Sequence, residues 1–151
     1  MKWWRSATSN LTPRLQVWVA ALWWASLTTI GFLVVPMLFV HLPTPAMAGG
    51  MAAKLFSAQT WVSSICGLVL LLLLNKQSNQ SLALISRSQP AIIFIVAGMI
   101  LALLSEFAVA PRIVVRDNLR LWHSVGSVMY LLQWVCAAVT FGKLMPPRQT
   151  G

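Results

Sequence analysis

VWVAALWWASLTTIGFLVVPMLFV, residues 17–40, runs for 24 residues without a charged side chain. A hydrocarbon core about 30 Å thick is crossed by about 20 helical residues, so this stretch is long enough to span it. Leu55–Leu74, Ala91–Ala110 and Leu121–Leu144 repeat the pattern, interrupted only by Glu106, His123 and Lys143. Lipid offers no partner to a backbone N–H or C=O, and unbroken apolar runs do not alternate as barrel strands must, so the spans are helices. The expected fold is an all-α integral membrane protein with four transmembrane helices, at about 17–40, 54–74, 90–111 and 121–144.

Composition narrows this further. With 151 residues, 58% hydrophobic and 9% charged, the chain has no room for a soluble domain beside its spans. It reads as a single membrane domain, 17–144, between tails 1–16 and 145–151. The net charge of +9 would point to nucleic acid in a soluble protein; here the basic residues sit in tails and loops and read as topology determinants, so no nucleic-acid partner is expected. Lys2 and Arg5 ahead of an apolar run, with Ala46-Met47-Ala48 after it, imitate a signal peptide, but the run is too long for a cleaved core of about 7 to 15 residues.

Orientation follows from the basic residues. Lys2, Arg5, Arg14, Lys76, Arg87, Lys143 and Arg148 fall on one side of the four spans, against Lys54, Arg112, Arg116 and Arg120 on the other. The excess places both termini in the cytoplasm. Pro43, Pro45, Gly49 and Gly50 punctuate His41–Ala53 as a turn or re-entrant corner, and Pro90 opens the third helix. Short links make consecutive helices antiparallel neighbours in an up-down-up-down bundle.

Polar residues gather toward the outer half. Ser57, Gln59, Thr60, Ser63 and Ser64 lie on the second span, Ser105 and Glu106 end the third, and His123, Ser124, Ser127 and Tyr130 begin the fourth. An outer-leaflet pocket for a small molecule or ion would be built from Glu106, Ser127, Tyr130, Thr60, Arg112 and Arg116. The competing reading is close packing, since small and hydroxylated residues let membrane helices approach and bond across the contact. A carboxylate deep in a span costs about 3 kcal/mol on insertion scales, so Glu106 needs a partner, with Arg112, Arg120 and His123 as candidates. Arg112, Arg116 and Arg120, four apart, would share one helical face, as a lipid-headgroup anchor or as an anion-binding or docking patch.

Met37 and His41 share a helix face, and His123 enters at a similar depth, a set that suits copper or haem iron although no dense His/Cys cluster accompanies it; no cofactor is the first expectation. Cys66 and Cys136 are expected as free thiols. With Glu106 and Asp117 the only acidic residues, and no phosphate loop, metalloprotease pair or nucleophilic triad, the chain reads as non-enzymatic. Eight tryptophans, several at span ends, suit contact with lipid, with a membrane-protein partner or with a second copy.

The run Pro36, Phe39, Leu42, Ala48-Gly49, Leu55-Phe56, then Ala110-Pro111, Arg116 and Leu121-Trp122-His123-Ser124 to Tyr130, resembles the bacterial members of the transmembrane-protein-205-like family, filed among domains of unknown function. The resemblance implies a four-helix protein of the bacterial inner membrane and brings no enzymatic activity with it. A more distant similarity, to copper-resistance membrane proteins and to the small haem-binding membrane oxidases of porphyrin synthesis with their inward-facing histidines, implies metal or haem, although this chain departs from the oxidases in having no conspicuous His-plus-Lys/Arg constellation within its spans. The combined expectation is a binding or transport protein, or an accessory subunit, with copper or haem at His41, His123 and Met37 as the alternative.

Overall fold

The computed structural model describes residues 3–78, 82–115 and 118–146. Helix α1, Trp3–Thr28, passes through a π-helical turn, Thr29–Val34, into α2, Val35–His41. Helix α3 is Pro45–Ser78. Helix α4, Leu82–Leu104, continues through a second π turn, Ser105–Val109, into α5, Ala110–Val114, and α6 is Leu119–Leu144. Four stretches, Thr12–His41, Pro45–Lys76, Pro90–Ile113 and Leu119–Leu144, are long and apolar enough to cross a membrane. Helix α1 packs on α3 and α6, and α4 packs on the same two, so consecutive spans are neighbours and the last closes on the first. The fold is an all-α four-helix bundle. One end, the connection end, carries the His41–Pro45 bend, the end of α5 and the start of α6; the other, the terminal end, carries the start of α1, the end of α3, the start of α4 and the end of α6.

Two local expectations differ from what is observed. The stretch from Pro45 through Gly49 and Gly50 is helix, not a turn or re-entrant corner. Thr44 sets its start: its hydroxyl accepts the Met47 N–H at 3.3 Å and its carbonyl accepts the Ala48 N–H at 3.1 Å. Pro45 follows at the first helical position, where its fixed φ favours the helix and its missing N–H costs nothing. Only the break at 42–44 remains as a turn. Pro90 lies inside α4 instead of opening it, since the helix begins at Leu82; a proline in a membrane helix is tolerated where neighbouring groups or water satisfy the freed carbonyl. Lys2, Arg148, Arg116 and Asp117, which bore on topology and on the arginine face, lie outside the described residues.

The two π turns share a cause. In each, the last wide bond is donated by the residue immediately before a proline: the Val35 N–H to the Ile30 carbonyl ahead of Pro36, and the Ala110 N–H to the Ser105 carbonyl ahead of Pro111. A proline ring crowds the carbonyl four residues back and brings no N–H. Widening the preceding turn by one residue relieves the crowding and leaves the helix running.

Apolar packing is densest on the terminal side of the bundle's middle. Ala20, Trp23, Leu27, Cys66, Leu70, Leu74, Ile95 and Ala137 form one buried cluster. Trp18, Leu22, Trp61, Leu72, Ile93 and Ile100 are exposed, the surface that lipid covers in a membrane protein. The indole of Trp23 crosses the bundle to Gly98 on the diagonally opposite span, where an added Cβ would lie 2.7 Å from its ring. Gly98 is therefore required by a close approach. Gly98→Ala should destabilise the protein by about 1–3 kcal/mol, because a rigid, enclosed ring has nowhere to move. Gly142→Ala, where a Cβ meets nothing within 4 Å, is the control and should be neutral. Thermal unfolding of both variants in detergent reads the difference.

Candidate functional site

Just above the apolar cluster, three spans meet through side-chain hydrogen bonds. Ser26 of α1 donates its proton to the Trp23 carbonyl at 2.8 Å, so its oxygen is left to accept, and the Gln59 amide of α3 donates to it at 3.0 Å. The same amide nitrogen donates to Ser63 at 3.3 Å, and Gln133 of α6 donates to Ser63 at 2.8 Å. Gln59, Ser63 and Gln133 are all buried. The Gln133–Ser63 bond crosses the second diagonal of the bundle, as Trp23 on Gly98 crosses the first. With its amide nitrogen directed at two hydroxyls, Gln59 leaves its carbonyl oxygen buried and unpartnered. The Trp23 and Trp24 indole N–H groups and the Ser105 hydroxyl are likewise buried without a partner.

Nearer the connection end lies the carboxylate. Glu106 sits in the second π turn, half-buried, and accepts the Ser57 hydroxyl of α3 at 2.7 Å. A hydroxyl on a neighbouring span, already within hydrogen-bond reach, supplies the partner that a carboxylate in a membrane span requires. Arg112, one of the groups expected to approach Glu106, places its guanidinium 4.7 Å over the Trp122 ring. That stacked arrangement suits a cation at a membrane interface.

Tyr130 connects these features. Its hydroxyl donates to the Leu27 carbonyl at 2.7 Å, and the Gly31 backbone N–H makes a weaker approach to the same oxygen. Its ring lies so close over Gly31 that any Cβ there would collide with it. The other face of contact is edge-on to Phe56, 5.2 Å between centroids, next to the Ser57 that bonds Glu106. One turn further along α6, the Trp134 indole donates to the Thr28 hydroxyl at 2.9 Å.

The remaining candidates are distributed differently. Thr60 is buried and returns its hydroxyl to the Phe56 carbonyl of its own helix, the behaviour of a packing residue. Ser127 is exposed and donates to the His123 carbonyl at 2.9 Å. His123 is exposed, Met37 is half exposed, and His41 holds Nδ1 2.9 Å from the Met37 carbonyl of its own helix. Among the described residues no group of three or more His, Cys, Asp or Glu side chains is placed to hold a metal ion. Cys66 and Cys136 are free thiols, the first buried and the second half-buried. Arg116 lies outside the described residues.

Gln133, Ser26 and Trp23 went unnoticed in the sequence. The available signal was a glutamine within an apolar run: a primary amide in lipid requires partners, so Gln59 and Gln133 on different spans predict that those spans face each other.

A family described as a domain of unknown function, DUF4149, matches residues 18–121. Among curated proteins and among solved structures, nothing matches.

Ser63 is the point where loss should be felt most. Ser63→Ala strands the Gln133 amide in the bundle interior and should cost about 1–2 kcal/mol. Gln59→Leu removes an unpartnered carbonyl together with its amide, while Ser26 keeps Trp23 and Ser63 keeps Gln133. It should stay within about 0.5 kcal/mol of the wild type. Reversible unfolding in lipid bicelles measures both, and the opposite ranking would reject the hub role of Ser63.

Proposed function

Since the chain belongs to the DUF4149 family, whose domain has no known function, we propose from its geometry that it binds or passes a small molecule or ion at Glu106 in the membrane, without catalysis. The observation that carries this reading is the half-buried Glu106–Ser57 hydrogen bond between two spans. An ionisable residue in a span is expensive, and a chain that served only to pack could use an apolar residue there. Glu106 adds a charge that changes with protonation. Its partner Ser57 adds a hydroxyl oxygen, and the pair suits a proton, a small hard cation or the hydroxyl or amine of a polar molecule.

The orientation proposed with it places both termini in the cytoplasm of a bacterium and the connection end, with Glu106, toward the outer leaflet, on the excess of Lys and Arg at the terminal end. The dense apolar cluster around Trp23 then closes the cytoplasmic half. The same architecture would serve a ligand-sensing subunit of a larger assembly, whose partner helices would cover the exposed apolar faces now ascribed to lipid.

Proteoliposomes enclosing a pH-sensitive dye, challenged in turn with proton and sodium gradients, test the reading directly. The wild type should pass at least one of the two, and Glu106→Gln should slow that traffic by about tenfold or more, because the amide keeps the shape and a hydrogen bond to Ser57 but holds no exchangeable charge. Equal rates in the two proteins would remove Glu106 from the function.

A further inference from the structure

The first span changes character at a single turn. Below it, Ala20, Trp23 and Leu27 are fully buried. Above it, from Thr29 to His41, no residue is buried. The boundary coincides with the π turn, where the hydrogen-bond ladder is already widened, and with Pro36, which contributes no N–H to it. A helix with a widened turn, a proline and little burial beyond it has a natural hinge.

What holds this hinge comes from α6. The Tyr130 ring rests on Gly31, the one residue of the π turn without a side chain, and its hydroxyl bonds the Leu27 carbonyl just before the turn begins. Trp134 adds a hydrogen bond to Thr28 and an edge contact with Phe32, 5.6 Å between centroids. The second π turn leans on the same helix one turn away: Val109 packs at Gly126, where an added Cβ would lie 3.5 Å from its methyl. Both widened turns, the second of which carries Glu106, therefore rest on the Gly126–Tyr130 stretch of α6.

We propose that Tyr130 is a latch on this hinge: while its hydroxyl holds Leu27 and its ring covers Gly31, the Thr29–His41 segment stays against α3 and α6, and release lets that segment turn aside to open a lateral entrance to Ser57 and Glu106. The contact of Tyr130 with Phe56, adjacent to Ser57, ties the latch to the site. A π turn that reverts to α geometry shifts the helix beyond it by one residue, a rotation of about 100°, which is a discrete change and not a gradual loosening. The latch itself rests only on the geometry of α1 and α6; that the entrance serves Glu106 rests on the function proposed above.

Hydrogen–deuterium exchange on the full chain in lipid nanodiscs tests the latch without any ligand. Tyr130→Phe keeps the ring and removes the hydroxyl. Exchange in a peptide covering 29–41 should rise by about tenfold, the change that loss of ~1.4 kcal/mol of local protection produces, while a peptide covering 60–74 stays at the wild-type rate. Gly31→Ala should give the same local pattern by a different route, since its methyl displaces the ring. Unchanged exchange at 29–41 in Tyr130→Phe overturns the proposal, and so does a uniform rise across all four spans, which would make Tyr130 an ordinary packing residue. If the local rise is seen but Glu106→Gln leaves ion traffic untouched, the latch stands and the proposed cargo site falls.

Discussion

The hydroxyl of Ser63 receives N–H groups from Gln59 and Gln133, and through Gln59 it reaches Ser26, so one small side chain joins three of the four spans. In a bilayer the alternative to such a bond is an unsatisfied polar group in hydrocarbon, and no water is at hand to compensate. Hydrophobic burial gives little direction between membrane helices, because lipid tails are as apolar as leucine. Close approach and a few directed hydrogen bonds therefore fix which face of each helix looks inward. Trp23 against Gly98 supplies the approach on one diagonal, and Gln133 to Ser63 supplies the bond on the other.

The same constraint divides the bundle along its axis. On the terminal side of the Ser63 network, Trp23, Leu70, Ile95 and Ala137 fill the interior, with Gln16 and Thr140 the buried polar residues toward that end among the described residues. On the connection side, two prolines force π turns, hydroxyl groups and a carboxylate replace aliphatic side chains, and the first span has no buried residue from Thr29 to His41. Sites that bind and move belong to the less stable parts of a structure, because a tightly packed interior cannot admit anything. Glu106 and the Tyr130 contact both lie in that less packed half.

The sequence made some of this readable and hid the rest for definite reasons. Run length alone settled four helices, because the thickness of hydrocarbon converts directly into a number of residues. The polar half was visible as a concentration of Ser, Thr and Gln on the second span. Their partners were not: in a nearly uniform apolar background, periodicity does not fix the rotation of a helix, so Thr60 facing its own backbone, Ser127 facing outward and Gln133 facing inward look alike. The helix through Gly49 and Gly50 was hidden because glycine reads as a breaker, while the Thr44-Pro45 start signal that overrides it occupies only two residues.

The sequence by itself therefore determined the solvent, the number of spans, their neighbour order and the presence of an ionisable group near one end. Those properties depend on composition and length, which folding does not alter. Only the tertiary structure decided that Glu106 meets Ser57, that Arg112 stacks on Trp122, and that Tyr130 closes on Gly31 across 99 residues of chain. Each is a matter of helix rotation and of local widening at a proline, set by side-chain fit between spans that have no mark of it in their own order of residues.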